Sequence, residues 1–177
     1  MMRKHETALV ILVPEAERVV GVYRGRYDPS AADGIPPHIT ILYPFLAEEK
    51  LTDQVLKDLG TLFREHSQFD VTFPRIRPFQ QSLWLDPEPV QPLCDLIEAV
   101  ATRFPNCPPY GDVQLAIPPH LTTAILASDA QRERVHREFM EISGSRLPVH
   151  TRVTCVSLMI KRAGSWSEST SFPLRQI

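Results

Sequence analysis

Two short stretches of the chain hold the residue types that acid–base chemistry uses. Residues 36–40 read Pro-Pro-His-Ile-Thr and residues 118–122 read Pro-Pro-His-Leu-Thr, with the two histidines 82 positions apart. An imidazole changes charge near pH 6.5, so a neutral histidine can take a proton while a protonated one gives one. Displacement at a phosphodiester needs both acts, one at the attacking hydroxyl or water and one at the leaving oxygen. Threonine hydroxyls can donate to the non-bridging oxygens, where negative charge must be stabilised. His38 and His120 are therefore candidate catalytic groups, and Thr40 and Thr122 candidate phosphate ligands.

A single histidine in a strand is as readily a structural residue bonded to backbone. Its recurrence with a matched threonine, behind a matched Pro-Pro, favours the chemical reading. Two histidines fall short of the three or four ligands of a zinc site, so neither a metal nor another cofactor is expected. His5, His66, His136 and His150 lie outside the repeat and suit solvated or capping roles.

The elements that must position these groups also repeat. Leu9–Val13 is a continuous apolar run, the mark of a strand buried on both faces. Ala16, Val19, Val20 and Tyr23 follow at helical spacing, and His38–Phe45 reads as a strand. Leu51, Val55, Leu56, Leu59, Leu62 and Phe63 form one helical stripe. Phe69, Val71 and Phe73 alternate as a half-buried strand that Pro74 stops. The second half runs in the same order: a short strand Ser82–Asp86, a helix from Val90 to Phe104, and the strand His120–Ala127. Ser128 with Gln131 makes a capping box for a helix carrying Val135, Phe139 and Ile142. Val149–Ile160 reads as one long β run, and Trp166–Leu174 as a last strand. The stretch 104–117 reads as a loop.

Residues two apart on a strand point the same way. His38 and Thr40 then share one face, with Ile39 and Ile41 on the other. His120 and Thr122 share a face opposed by Leu121 and Ile125. Each Pro-Pro holds the backbone extended at the strand entrance. The expected organisation is a single domain over 1–177 with lobe repeats at roughly 7–77 and 82–174.

Bulk composition narrows the setting. In 177 residues, 19 Lys and Arg against 21 Asp and Glu nearly cancel, which argues against a broad duplex-DNA surface. No apolar stretch approaches the roughly 20 residues of a membrane span, so no membrane partner is expected. Three cysteines without CxxC spacing suggest neither a disulfide framework nor a zinc site and suit a reducing cytoplasm. The proline content, 17 residues beside 7 glycines, excludes a flexible linker. It reads as bracing at element boundaries.

The duplicated His-x-Thr on strands resembles the 2H phosphoesterase superfamily. The surroundings Ile35-Pro36-Pro37-His38-Ile39-Thr40-Ile41-Leu42-Tyr43-Pro44-Phe45 and Pro108-Pro109-Tyr110-Gly111 are similar to its 2′-5′ RNA ligase-like branch, which includes RNA 2′,3′-cyclic phosphodiesterases. The resemblance implies a bilobal, pseudo-twofold α+β fold, two antiparallel β-sheets flanked by helices around a central cleft with both motifs. It implies metal-free opening of a 2′,3′-cyclic phosphate by water, with His120 as general base and His38 as general acid by analogy. The substrate would be an RNA 2′,3′-cyclic phosphate end or a small nucleotide, and the protein a monomer. A non-catalytic nucleotide or RNA-end binding module, or an enzyme acting on 2′-5′-linked oligonucleotides, are the alternatives. Many relatives carry an Arg shortly after a His-x-Thr. Here Ile41-Leu42-Tyr43-Pro44 and Thr123-Ala124-Ile125-Leu126 follow instead, so a basic phosphate contact must come from elsewhere. Tyr43, Phe79, Trp84 and Tyr110 are candidates to stack on a base, although aromatics on strands are commonly core. Arg75 and Arg77, with Arg24 and Arg26, are candidates to steer an anion, with a solvated surface role the better reading for each.

Overall fold

The computed structural model describes residues 6–108 and 117–176. Its centre is β1 (Glu6–Leu12), whose residues Ala8, Leu9, Val10 and Ile11 are all buried. Such a strand needs cover on both faces and both edges. It has antiparallel neighbours on each side, β2 (His38–Leu42) and β8 (Cys155–Arg162). The sheet extends to β9 (Ser165–Pro173) beyond β8, and through β6 (Leu121–Ile125) and β5 (Ser82–Leu85) to β4 (Ile76–Phe79) beyond β2. This gives the seven-stranded order β4-β5-β6-β2-β1-β8-β9. A second sheet has two strands, β3 (Phe69–Phe73) and β7 (Val149–Val153). The fold is α+β, with one large antiparallel sheet, one small one and flanking helices.

The helices cover one face of the large sheet. These are α1 (Glu17–Tyr27), α3 (Asp53–Arg64), α4 (Gln91–Arg103) and α5 (Asp129–Ile142), with the short α2 (Pro29–Ala32) after α1. Val19, Val20 and Tyr23 of α1 join one core with Leu59 and Phe63 of α3, Leu93 and Leu96 of α4, and Val135 and Phe139 of α5. The strands contribute Leu9, Ile11, Ile39, Ile41 and Leu121 to the same core. Capping agrees with the sequence at α5, where Ser128 Oγ accepts from the Gln131 N–H and the Gln131 side chain accepts from the Ala127 N–H. On the opposite face lie the alternate side chains, one residue out of phase, Ala8, Val10 and Met159. That face is the one that carries His38 and Thr40.

Three expectations are corrected. Val149–Ile160 is not one strand: the chain leaves the small sheet after Val153 and enters the large one at Cys155. The reason is a change of period. Residues 149–153 alternate buried and exposed, whereas Val156–Ile160 are all buried between helices and the open face. Ile125 does not back the second motif; it pairs with Ser82 at the ends of β6 and β5 and is half exposed, while Thr123 and Ala124 are buried. Arg24 is not a surface residue at all. It is 2% exposed, because Asp28 one turn later neutralises it. The large sheet also draws on both stretches of the chain, since β8 and β9 lie against β1 rather than beside β6.

Candidate active site

The two motifs meet where β2 pairs with β6, and the registered pair is Ile39 with Leu121, the middle residue of each. Both are fully buried on the helix side. Antiparallel counting outward from that pair sets His38 opposite Thr122 and Thr40 opposite His120. The histidines are thus diagonal neighbours on the open face, a placement that separates residues by about 7–8 Å across a sheet. A phosphate fits between two imidazoles at that spacing.

Each imidazole is oriented by the same contact. His38 Nδ1 lies 2.8 Å from the Pro36 carbonyl oxygen, and His120 Nδ1 lies 2.8 Å from that of Pro118. A carbonyl only accepts, so Nδ1 carries the hydrogen and Nε2 is left free in both rings. The first proline of each Pro-Pro therefore supplies the acceptor that fixes the tautomer, a role beyond bracing that the sequence reading missed.

The surroundings of the two rings differ. Behind His38, buried Arg24 pairs with Asp28 at 3.0 Å and donates to the Ile35 carbonyl at 3.0 Å. Asp28 also accepts from the Ser30 N–H and hydroxyl. This network holds the loop that delivers His38. Burial pushes His38 down to about 4; its Pro36 hydrogen bond and Asp28 oppose that, and Arg24 and His120 add to it. His120 is stacked on Trp84, with centroids 3.6 Å apart and planes at 11°. Phe79 covers the other face of Trp84 at 3.9 Å and 19°. Burial lowers His120 as well, opposed by its Pro118 hydrogen bond and by the Asp86 carboxylate.

The remaining candidates divide. Thr40 and Thr122 are half-buried on the open face beside the imidazoles. Trp84 is 7% exposed and has both faces engaged, so it serves His120 rather than offering a free stacking surface. Arg75 and Arg77 are ion-paired to Asp86 at 3.4 and 2.6 Å, and Arg75 also to Glu88 at 2.7 Å. Arg26 reaches Glu138 at 3.5 Å. Tyr43 lies edge-on to Trp166 with centroids 6.1 Å apart, and its hydroxyl donates to Glu6. Burial and that carboxylate push its phenol up to about 12. Tyr110 lies outside the described residues. A cavity of about 210 Å³ opens beside His38 and Thr40, and its wall includes Lys161 and Trp166. Neither was singled out from sequence, since they sit on the β8–β9 hairpin, over 100 residues from His38, with no local spacing to mark them. Among the described residues no group of three or more His, Cys, Asp or Glu forms a candidate metal centre, and no helix is long and apolar enough to cross a membrane.

A fold with two such motifs on adjacent strands defines a 2H-type phosphoesterase scaffold, and comparison with known proteins agrees. The model of the 2′-5′ RNA ligase superfamily matches residues 12–165. The chain belongs to that family, and this membership supports a phosphoesterase activity. A Bacillus licheniformis protein named "Putative phosphoesterase" is 28% identical over 131 residues, 71% of this chain and 75% of its own length. One of the same name from Bacillus cytotoxicus is 31% identical over 111 residues, 61% of this chain and 62% of its own. Among solved structures, E. coli LigT complexed with 3′-AMP matches at TM-score 0.64 and 19% identity, over 97% of this chain and 99% of that one. LigT complexed with NADP+ matches at 0.63 and 16%, over 98% and 99%.

Proposed function

We propose that the chain hydrolyses 2′,3′-cyclic phosphates, on RNA ends or small nucleotides, by metal-independent two-histidine catalysis. The observation that carries this reading is the pair of free Nε2 atoms, held by identical Nδ1 contacts on adjacent strands. In the proposed step, Nε2 of His120 takes a proton from water as its oxygen attacks phosphorus. The bond from phosphorus to the 3′ oxygen breaks, and Nε2–H of His38 protonates that oxygen. The product is a 2′-phosphate with one water added across the ring, and solvent resets the two protons. Thr40 and Thr122 donate to the non-bridging oxygens.

The surroundings support this order of roles. Burial and Arg24 make protonated His38 a strong acid. Asp86 and the face of Trp84 favour positive charge on His120 as it accepts its proton. Burial disfavours the charged form of both rings, and the negative charge of the bound phosphate offsets this at His38, which takes its proton from solvent. The nucleotides bound to LigT, 3′-AMP and NADP+, support a substrate of nucleotide size. The three free thiols, Cys94, Cys107 and Cys155, suit work in a reducing cytoplasm, and a single chain supplying both histidines and both threonines supports a monomer.

The test is hydrolysis of the four 2′,3′-cyclic nucleotides by His38→Ala and His120→Ala. Each variant is expected to lose about 10²–10⁴-fold in kcat. Unchanged turnover in either would overturn the reading, and tight binding without turnover by the unaltered protein would favour a binding module instead.

A further inference from the structure

Two histidines and two threonines leave the reacting phosphate without a permanent positive charge beside it. One buried cation near the site, Arg24, takes no part in the proposed step. Resting on the phosphoesterase reading above, we propose that Arg24 binds the substrate phosphate, with Nη1 of its guanidinium donating to the non-bridging oxygen nearest His38. Arg24 is then a further catalytic residue, and Asp28 is the group that aims it.

The rest of that guanidinium is committed. Nε donates to Asp28 Oδ2 at 3.0 Å, and Nη2 donates to the Ile35 carbonyl at 3.0 Å and to the Ser30 hydroxyl at 3.4 Å. Asp28 is held in turn by the Ser30 N–H and hydroxyl, so the plane of the fork is fixed. Nη1, with two N–H donors, has no partner among the described residues. It is not sealed off either, so part of the residue's 2% exposure belongs to it. The groups that Nη2 touches show which space lies next to it. Ser30 and Ile35 both line the cavity that His38 and Thr40 line. Ile35 is three residues before His38, and the charge of Arg24 reaches that imidazole and opposes its protonation. A phosphate anion between the two cancels this opposition, so substrate binding favours the proton that His38 delivers.

The other cations near the open face are less well placed. Arg75, Arg77 and Arg26 are more than half exposed and paired with carboxylates. Lys161 lines the same cavity but at its far end, bound to Asp33. It pairs with Glu6 across β1, whereas His38 pairs with Leu12, six residues or about 20 Å further along the strand. Burial itself also asks for a use. An ion pair with both side chains at 3% exposure brings little stability over an apolar pair of the same volume. A permanently charged donor held in place where water is excluded is what a phosphate in reaction needs, because it is already aimed when negative charge builds up.

The experiment uses uridine 2′,3′-cyclic phosphate and the two diastereomers of its phosphorothioate, in which sulfur replaces one or the other non-bridging oxygen. Sulfur is a poor acceptor for a guanidinium N–H. The unaltered protein is therefore expected to hydrolyse one diastereomer about tenfold faster than the other, the order of one hydrogen bond. Arg24→Lys keeps a cation beside Asp28 but loses the fork. On the all-oxygen compound kcat is expected to fall about 10²-fold, the scale of one lost oxyanion donor, and the diastereomer ratio to shrink towards one. A residue that only holds the loop would slow both diastereomers alike. Should the lysine variant not fold, Arg24→Gln combined with Asp28→Asn puts a neutral amide pair in place of the ion pair and is read in the same way. Equal rates for the two diastereomers in the unaltered protein, or a ratio that the variant leaves unchanged, would overturn the contact while leaving the phosphoesterase reading intact. If the unaltered protein turns over none of the three, the phosphoesterase reading fails, and equilibrium binding of 3′-AMP against adenosine decides the contact. An advantage for 3′-AMP that drops about tenfold in the variant sustains it, and an unchanged advantage overturns it.

Discussion

The half of the site around His38 and the half around His120 share a pentapeptide and little else. Both rings donate Nδ1–H to the carbonyl two residues back at 2.8 Å, so the local geometry is duplicated faithfully. What stands behind each ring is not. His38 rests against a buried Arg–Asp pair and opens onto a cavity; His120 is clamped by Trp84 and Phe79 and faces Asp86. A repeat can therefore fix where an imidazole points while tertiary neighbours decide which way its proton moves. In the proposed mechanism the same strand motif then serves as the acid on one side and the base on the other.

Removing what differs between the halves should expose the difference. The largest effect is expected from Arg24→Met, which strands Asp28 at 3% side-chain exposure without its cation. Breaking such a pair costs about 3–5 kcal/mol, to be read by chemical denaturation; a loss below about 1 kcal/mol would mean that the pair does not hold the His38 loop. Next is the pH profile of kcat/KM. In the proposed mechanism the productive form has His38 protonated and His120 neutral, and both rings are shifted below the ordinary value of 6.5, His38 to about 4. The bell should then be centred below pH 6.5, falling as pH rises because His38 has lost its proton, and falling again in acid as His120 gains one. A profile flat from pH 5 to 9 would contradict the assignment. Smaller again is Trp84→Leu, which removes the ring stacked on His120 and should lower kcat about tenfold. Trp84→Phe should recover most of that loss, and equal losses in the leucine and phenylalanine variants would reduce Trp84 to packing.

The order of elements was legible because each buried face leaves its own period: the continuous Leu9–Val13 run, the α3 stripe, and the alternation at Phe69–Phe73. The catalytic candidates were legible because the motif occurs twice. Other features carried a signal that was readable in hindsight. Arg24 and Asp28 are one helical turn apart, a spacing that pairs charges, and the shift from alternating to continuous burial at Thr154 marks the break between β7 and β8. Lys161 and Trp166 carried none. They reach the His38 side only because the β8–β9 hairpin crosses back to β1, a consequence of topology that no local pattern encodes. Trp84 was named as a stacking residue, but its partner is an imidazole of the protein itself.

In the proposed mechanism His38 gives the proton and His120 takes one, and a change of leaving group tests this directly. A phosphodiester that releases 4-nitrophenolate needs no proton at the departing oxygen, yet still needs an activated water. On that substrate His38→Ala should return to within about tenfold of the unaltered protein, whereas His120→Ala should stay down by the 10²–10⁴-fold expected for loss of a general base. Equal losses in the two variants, or rescue of His120→Ala instead, would contradict the account.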